Sequence, residues 1–172
     1  GEKVDCVAYA CTSGTIAAGY NYVKKKVLKA KPNSKLTTPS TSSINALKKF
    51  KIRRIALFTP YPKKLNNEVV YFFEKNKFIV TSNSYFDISS DIEIGKVNDQ
   101  HLFKVLSKMK LNGAQALFIS CTALPALSIL EKLEKKLGVM VFSSNQTLIW
   151  DTLKSIGIKN NIRGFGKLLR SN

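Results

Sequence analysis

Two cysteines stand in matching company. Cys11 lies in Tyr9-Ala10-Cys11-Thr12-Ser13-Gly14-Thr15, and Cys121 in Ile119-Ser120-Cys121-Thr122-Ala123-Leu124-Pro125. Each follows an apolar run, precedes a threonine and stands ahead of a helical pattern. Open α/β sheets bind ligands beyond the carboxyl ends of their strands, where loop amides and helix N-termini favour anions. A helix N-terminus also lowers a thiol's pKa, so both thiols are expected to ionise readily. Two thiols facing one carbon suit removal of a proton from one face and its delivery to the other. They equally suit addition of a thiolate to a double bond while the second thiol manages the proton. Neither route needs a metal or an organic cofactor. Thr12, Ser13, Thr122 and the loop amides are expected to hold a substrate carboxylate and to stabilise charge developing on it.

Other residues bear on this picture. The Thr59-Pro60-Tyr61 turn places a phenol at another strand end, within reach of the carboxylate or the reacting centre, or else as an interface tyrosine on a proline turn. Ser143, Ser144 and Asn145 end a later strand, either as a substrate-side cluster or as the cap of the following helix, with the cap favoured. Cys6, on an apolar strand, reads as a small buried hydrophobe. The 3 cysteines include no CxxC pair, which argues against a disulfide framework and against zinc. His101 opens a predicted helix in a polar stretch and reads as solvated. The Gly164-Phe165-Gly166-Lys167 segment lacks the preceding strand and following helix of a phosphate loop.

The elements that position these residues alternate between apolar runs and helical patterns, the signature of βαβ units around parallel sheets. Residues 4–10 predict a strand and residues 15–28 a helix. Residues 35–38 are ambiguous, and the Thr/Ser cluster through Ser43 is expected to cap a helix over 44–50. A second series runs strand 55–59, helix 64–76, strand 78–84, a Ser/Asp-rich loop, helix 99–110 and strand 116–120. Helix 124–137, strand 139–142 and helix 146–156 close it. The chain thus divides into a partial N-terminal α/β domain, residues 1–50, and a C-terminal α/β domain, residues 51–145, joined near residues 48–54. The first domain holds one secure strand and needs partners, either strands upstream of Gly1 or another chain in a homo-oligomer.

A formal net charge of +17 would attract polyanions. The positive charge is nearly all lysine, with arginine only at Arg53, Arg54, Arg163 and Arg170, and the lysines are scattered through every predicted helix. A nucleic-acid surface would concentrate them in one stripe with interleaved aromatics, so the charge reads as a solvated, lysine-rich surface. No apolar run approaches the roughly 20 residues of a membrane helix, and no signal pattern opens the chain. The expectation is a cytoplasmic protein with a small carboxylate as its partner, and neither nucleic acid nor membrane.

With Ala10-Cys11-Thr12-Ser13-Gly14-Thr15 near the start, Thr59-Pro60-Tyr61 in the middle and Ser120-Cys121-Thr122-Ala123-Leu124 later, the chain resembles the aspartate/glutamate racemase superfamily. The branch it is most similar to holds the maleate cis-trans isomerases with their arylmalonate decarboxylase and ectoine-utilisation relatives. Ser143-Ser144-Asn145-Gln146, followed by a helix containing Trp150, belongs to the same resemblance. It implies two Rossmann-like parallel-sheet domains related by pseudo-twofold symmetry, the first incomplete here, with the helix over 146–157 packing back on that first domain. It also implies one cysteine from each domain at a cofactor-free site. Cys11 would add as thiolate to a maleate-type double bond, giving a succinyl-type adduct that rotates before elimination, with Cys121 as acid/base partner and Tyr61 supporting the substrate. Asp91 falls near a substrate-contacting position where relatives carry Asn, and its charge there would repel a dicarboxylate. Members are longer at the N-terminus, where a first strand carries a substrate-binding Asn, so the resemblance implies an N-terminally truncated member.

Three functions compete. An isomerase or racemase of a small carboxylate uses both cysteines. An arylmalonate-type decarboxylase keeps only the later thiol, so Cys11 counts against it. A non-catalytic small-molecule binding module would leave both cysteines merely buried.

Overall fold

The computed structural model describes residues 3–159 and 161–171. Among the described residues, six strands form two sheets in which every pairing is parallel. The α/β class expected from the alternating pattern is what the chain builds. The smaller sheet pairs β1 (Cys6–Ala8) with β2 (Lys35–Thr37), so the ambiguous residues 35–38 do form a strand. The larger sheet has the order β4-β3-β5-β6, from β4 (Ile79–Tyr85), β3 (Arg54–Thr59), β5 (Ala116–Ile119) and β6 (Met140–Ser143). Its central strands β3 and β5 are buried from Ile55 to Thr59 and from Ala116 to Ile119, the continuous apolar run of a strand covered on both faces. Edge strand β4 is only partly covered and carries polar residues.

The chain leaves β3 for β4 on one side and returns to β5 on the other, which makes the gap between the carboxyl ends of β3 and β5 the topological switch point. The crossovers are α4 (Lys63–Lys75), the short α5 (Asp91–Gly95) with α6 (Asp99–Leu106), and α7 (Leu130–Leu137). Their apolar faces close a core in which Phe73 meets Phe118 edge-on at 5.0 Å and Phe58 meets Phe86 at 4.8 Å. No helix among the described residues is long and apolar enough to cross a membrane.

Several elements differ from the sequence pattern. The helix expected over 15–28 is two, α1 (Thr12–Ala18) and α2 (Tyr20–Ala30), because Gly19 adopts φ 82° between them. The helix expected over 44–50 begins earlier, as α3 (Pro39–Lys49): Thr38 is the cap, accepting from the Thr41 N–H, and Pro39 supplies a first-turn φ. Ser40, Ser42 and Ser43 therefore lie buried inside the helix. They avoid an unpaired hydroxyl there, since Ser43 donates to the Ser40 carbonyl at 2.7 Å and Ser42 to Asp151 at 2.9 Å. The Ser/Asp-rich loop contains α5, started by Ser90, whose hydroxyl accepts from the Glu93 N–H. The helix expected from 124 starts only at Leu130, after a 3-10 turn at Leu127–Ile129, since Pro125 has no N–H to extend a helix toward Cys121.

The last long helix, α8 (Ser144–Ser155), lies against α3, β1 and β2. Thr152 and Thr37 share a hydroxyl pair at 2.7 Å, Asp151 accepts from Ser42 and Asn45, and Ser155 donates to the Cys6 sulfur at 3.6 Å. The tail then folds over α7 and α8, burying Leu168 and Leu169 and bringing the Lys167 N–H to Glu134 at 2.9 Å.

Candidate active site

Cys11 occupies the N-cap of α1 with extended backbone, and its sulfur accepts the Gly14 N–H at 3.3 Å. Negative charge on the sulfur would therefore meet a helix amide directly. Gly14 makes this possible: a Cβ there would lie 2.7 Å from Cys11 Sγ and 3.4 Å from the Tyr9 hydroxyl. Thr15 secures the cap by donating to the Cys11 carbonyl at 2.6 Å. Ser13 stands beside the sulfur at 4.0 Å.

Cys121 is held differently. It follows β5 with φ 90°, a left-handed conformation unusual for a residue bearing a Cβ, and is 5% exposed. Burial pushes its thiol up from the ordinary range. A hydrogen bond from Tyr61 and the N–H groups of Ala123 and Leu124 oppose that shift, and the charge of Asp91 adds to it. The expectation that both thiols ionise readily at helix N-termini thus fails for Cys121. No helix begins directly after it, and desolvation outweighs the local amides. At neutral pH Cys121 carries its proton.

Tyr61 stands between the two cysteine loops. The side chain is buried, and its hydroxyl lies among Cys121, Ser120 and Ser13. Burial, then the charge and hydrogen bond of Cys121, hold the phenol well above its usual range, so it is a neutral donor. Ser120 Oγ, fully buried beside it, completes no hydrogen bond of normal geometry. The phenol reaches this point because β3 ends at Thr59 next to the end of β5, with Phe58 in register with Ile119.

Thr12, Thr122 and the closing serines tie the halves together. Thr12 Oγ1 donates to Ser144 Oγ at 2.9 Å, and the Cys121 N–H donates to the same oxygen at 3.1 Å. Thr122 Oγ1 donates across to the Ala10 carbonyl at 2.9 Å, and Asn145 donates to the Thr122 carbonyl at 2.9 Å. In the 143–145 cluster, Ser143 is the helix cap, accepting the Gln146 N–H at 3.2 Å, while Ser144 is a bridge between the two cysteine loops. The sequence presented cap and site cluster as alternatives; adjacent serines divide the two tasks because successive residues at a strand end point opposite ways. Ser144 belongs to the 143–145 cluster that the sequence offers, whereas Ser120 is a neighbour of the site that the pattern does not mark; a strand-end serine directly before Cys121 is the signal that could have found it.

Asp91 opens α5, is exposed, and acts electrostatically on Cys121. One turn further on, Gly95 lies near the Ala123 carbonyl, where an added Cβ would stand in ordinary contact at 3.9 Å. The expected residues Cys11, Ser13, Tyr61, Cys121 and Asp91 are therefore brought into one neighbourhood, whereas the hydroxyls of Thr12 and Thr122 are engaged in bridging hydrogen bonds. His101 is exposed on α6, and Cys6 is bonded between Thr37 and Ser155, so neither enters the site. A cavity of about 370 Å³ lined by Lys48, Lys51, Ile52, Arg53, Asn76 and Phe78 lies at the opposite, amino-terminal end of β3 and β4. It has no part in the thiol chemistry.

The family model described as arylmalonate decarboxylase matches residues 2–169. A maleate isomerase of Geobacillus stearothermophilus is 26% identical over 175 residues, spanning 97% of this chain and 70% of that protein. An arylmalonate decarboxylase of Bordetella bronchiseptica is 27% identical over 135 residues, spanning 77% of this chain and 56% of that protein. Among solved structures, a Nocardia farcinica maleate cis-trans isomerase, a cysteine-to-serine mutant with a covalently bound succinylcysteine intermediate, shares the fold with a TM-score of 0.91. It is 22% identical, with 99% of this chain and 73% of that chain covered.

Proposed function

Because the chain belongs to the arylmalonate decarboxylase family, we propose that it is a cofactor-independent, cysteine-based cis-trans isomerase of the maleate type, with Cys11 as nucleophile and Cys121 as acid/base partner. The observation that carries this assignment is the unlike pair of thiols. Cys11 Sγ faces a helix amide, whereas Cys121 is buried, protonated and hydrogen-bonded to Tyr61. One is suited to attack and the other to deliver a proton.

In the reaction, the Cys11 thiolate forms a C–S bond to one alkene carbon, and the π electrons move toward the carboxylate on the other. Cys121 gives its proton to that second carbon and becomes a thiolate. The carbon–carbon bond is then single and rotates. Cys121 takes a proton back from the same carbon as the C–S bond breaks, releasing the trans isomer and restoring the Cys11 thiolate and the Cys121 thiol. Tyr61 donates to the Cys121 sulfur while it is anionic, and the N–H groups of Ala123 and Leu124 share that charge. The succinylcysteine of the Nocardia farcinica relative is an adduct of this kind.

The second reading, a decarboxylase, is favoured by the Bordetella bronchiseptica relative. There Cys121 alone would protonate an enolate after carbon dioxide leaves, and Cys11 would have no role. Two measurements separate the readings. Proton NMR in deuterated water distinguishes isomerisation of maleate from decarboxylation of an arylmalonate. Mass spectrometry of the Cys121→Ser variant incubated with the alkene should find one substrate molecule added to the peptide containing Cys11. An active Cys11→Ala variant, or no adduct on Cys11, would rule out the isomerase mechanism.

A further inference from the structure

Asn66 holds the turn that carries Tyr61 from both sides. Before the tyrosine, Thr59 at the end of β3 donates its hydroxyl to Asn66 Oδ1 at 2.9 Å, and both residues are fully buried. After it, the Asn66 N–H donates to the Pro62 carbonyl at 2.9 Å, the first hydrogen bond of α4, whose cap Pro62 offers no side-chain acceptor. The segment closed in this way is Thr59-Pro60-Tyr61-Pro62, and the Tyr61 hydroxyl hydrogen-bonds Cys121. Backbone that follows β4 supports the turn from its other side: the Phe86 N–H donates to the Thr59 carbonyl at 3.2 Å and the Ile88 N–H to the Pro60 carbonyl at 2.9 Å.

Asn66 Nδ2 is buried with no hydrogen-bond partner among the described residues. A desolvated, unpaired amide opposes folding, and an apolar residue of similar size would avoid that cost. Packing therefore does not account for an asparagine here. Its carbonyl oxygen does, as the acceptor that fixes Thr59. We propose that Asn66 is a positioning residue of the thiol site, clamping the turn over 59–62 so that the Tyr61 hydroxyl stays on the Cys121 sulfur. This rests on the isomerase reading above and adds to it the group that aims the phenol. Asn66 acts through Tyr61 and not on the substrate. Displacement of the hydroxyl by about 1 Å is enough to spoil such an alignment.

The test breaks the clamp without altering Tyr61. Thr59→Val keeps the shape of the side chain and removes the hydroxyl, whereas Thr59→Ser keeps the hydroxyl. Thr59→Val with Asn66→Leu replaces both partners by apolar groups, a change that can be nearly neutral for stability. Each variant is measured for its urea midpoint, for turnover of maleate by proton NMR, and for the pH dependence of Cys121 alkylation, read on the Cys121 peptide by mass spectrometry. Thr59→Val and the double variant should lose about tenfold or more in kcat. Both should move the alkylation limb to higher pH, the direction set by loss of the Tyr61 hydrogen bond. Adding Tyr61→Phe should move the limb no further, because the phenol is already out of place. Thr59→Ser should restore both turnover and limb. An unmoved limb in Thr59→Val, with or without a loss of turnover, or a full further shift on adding Tyr61→Phe, would overturn the clamp. Alkylation needs no substrate, so it decides the clamp separately from the isomerase reading. That reading falls if the unmodified chain isomerises no maleate and Cys121→Ser gives no adduct on Cys11.

Discussion

The backbone N–H of Cys121 donates to the hydroxyl of Ser144 at 3.1 Å, and the same oxygen accepts from Thr12, the residue after Cys11, at 2.9 Å. One buried serine at the start of α8 thus pins both cysteine loops. The bond matters more because Cys121 holds φ 90°, a backbone state that persists only where surrounding contacts enforce it.

Ser144→Ala should therefore strand a buried N–H and release the strained residue. The expected loss is roughly 1–3 kcal/mol of stability, read from the urea midpoint. Turnover should fall as well, because the Cys121 sulfur is aimed by that backbone. A variant with unchanged stability and unchanged turnover would show that the bridge holds neither loop.

Gly14→Ala separates activity from stability. Alanine is the better helix residue by up to about 1 kcal/mol, so α1 should not weaken. Its Cβ, however, would lie 2.7 Å from Cys11 Sγ, and the thiol must move. Turnover should drop by about tenfold or more with the circular dichroism spectrum and thermal midpoint maintained. Full activity would mean that the position of Cys11 is not critical.

The pH dependence should carry the signature of Cys121. The mechanism uses its protonated form, whose pKa is raised, so the alkaline fall in turnover should begin only above the ordinary thiol value of about 8.5. Tyr61→Phe removes a hydrogen bond that favours the thiolate and should move this limb to higher pH. Asp91→Asn removes a charge that disfavours the thiolate and should move it lower. The pH dependence of Cys121 alkylation reads the same shifts without turnover. Stability follows the same sign: folding favours the protonated thiol, so this contribution is full below the ordinary thiol range and is lost as pH rises through the raised value.

Much of this protein follows from local pattern. Strands β3, β5 and β6 lie within a residue or two of their apolar runs, because a strand covered on both faces is written as consecutive buried residues. Cys121 is legible as a strand-end residue for the same reason, and Tyr61 as a residue of the turn after β3, whereas Cys11 follows β1, which is short, only partly buried and ends at Ala8. Where a positive φ or a cap decides the outcome, pattern misleads: Gly19 splits one apparent helix, and the Thr38 cap starts another five residues early. Tertiary structure alone decided that the two thiols differ. Similar flanking residues surround both, but Cys121 is buried, desolvation there outweighs its local amides, and only folding brings Tyr61 and Asp91 to it. The Ser144 bridge likewise spans 132 residues to Thr12 and 23 to Cys121. No local periodicity encodes a contact at such separations, because it exists only once α8 packs between the two units.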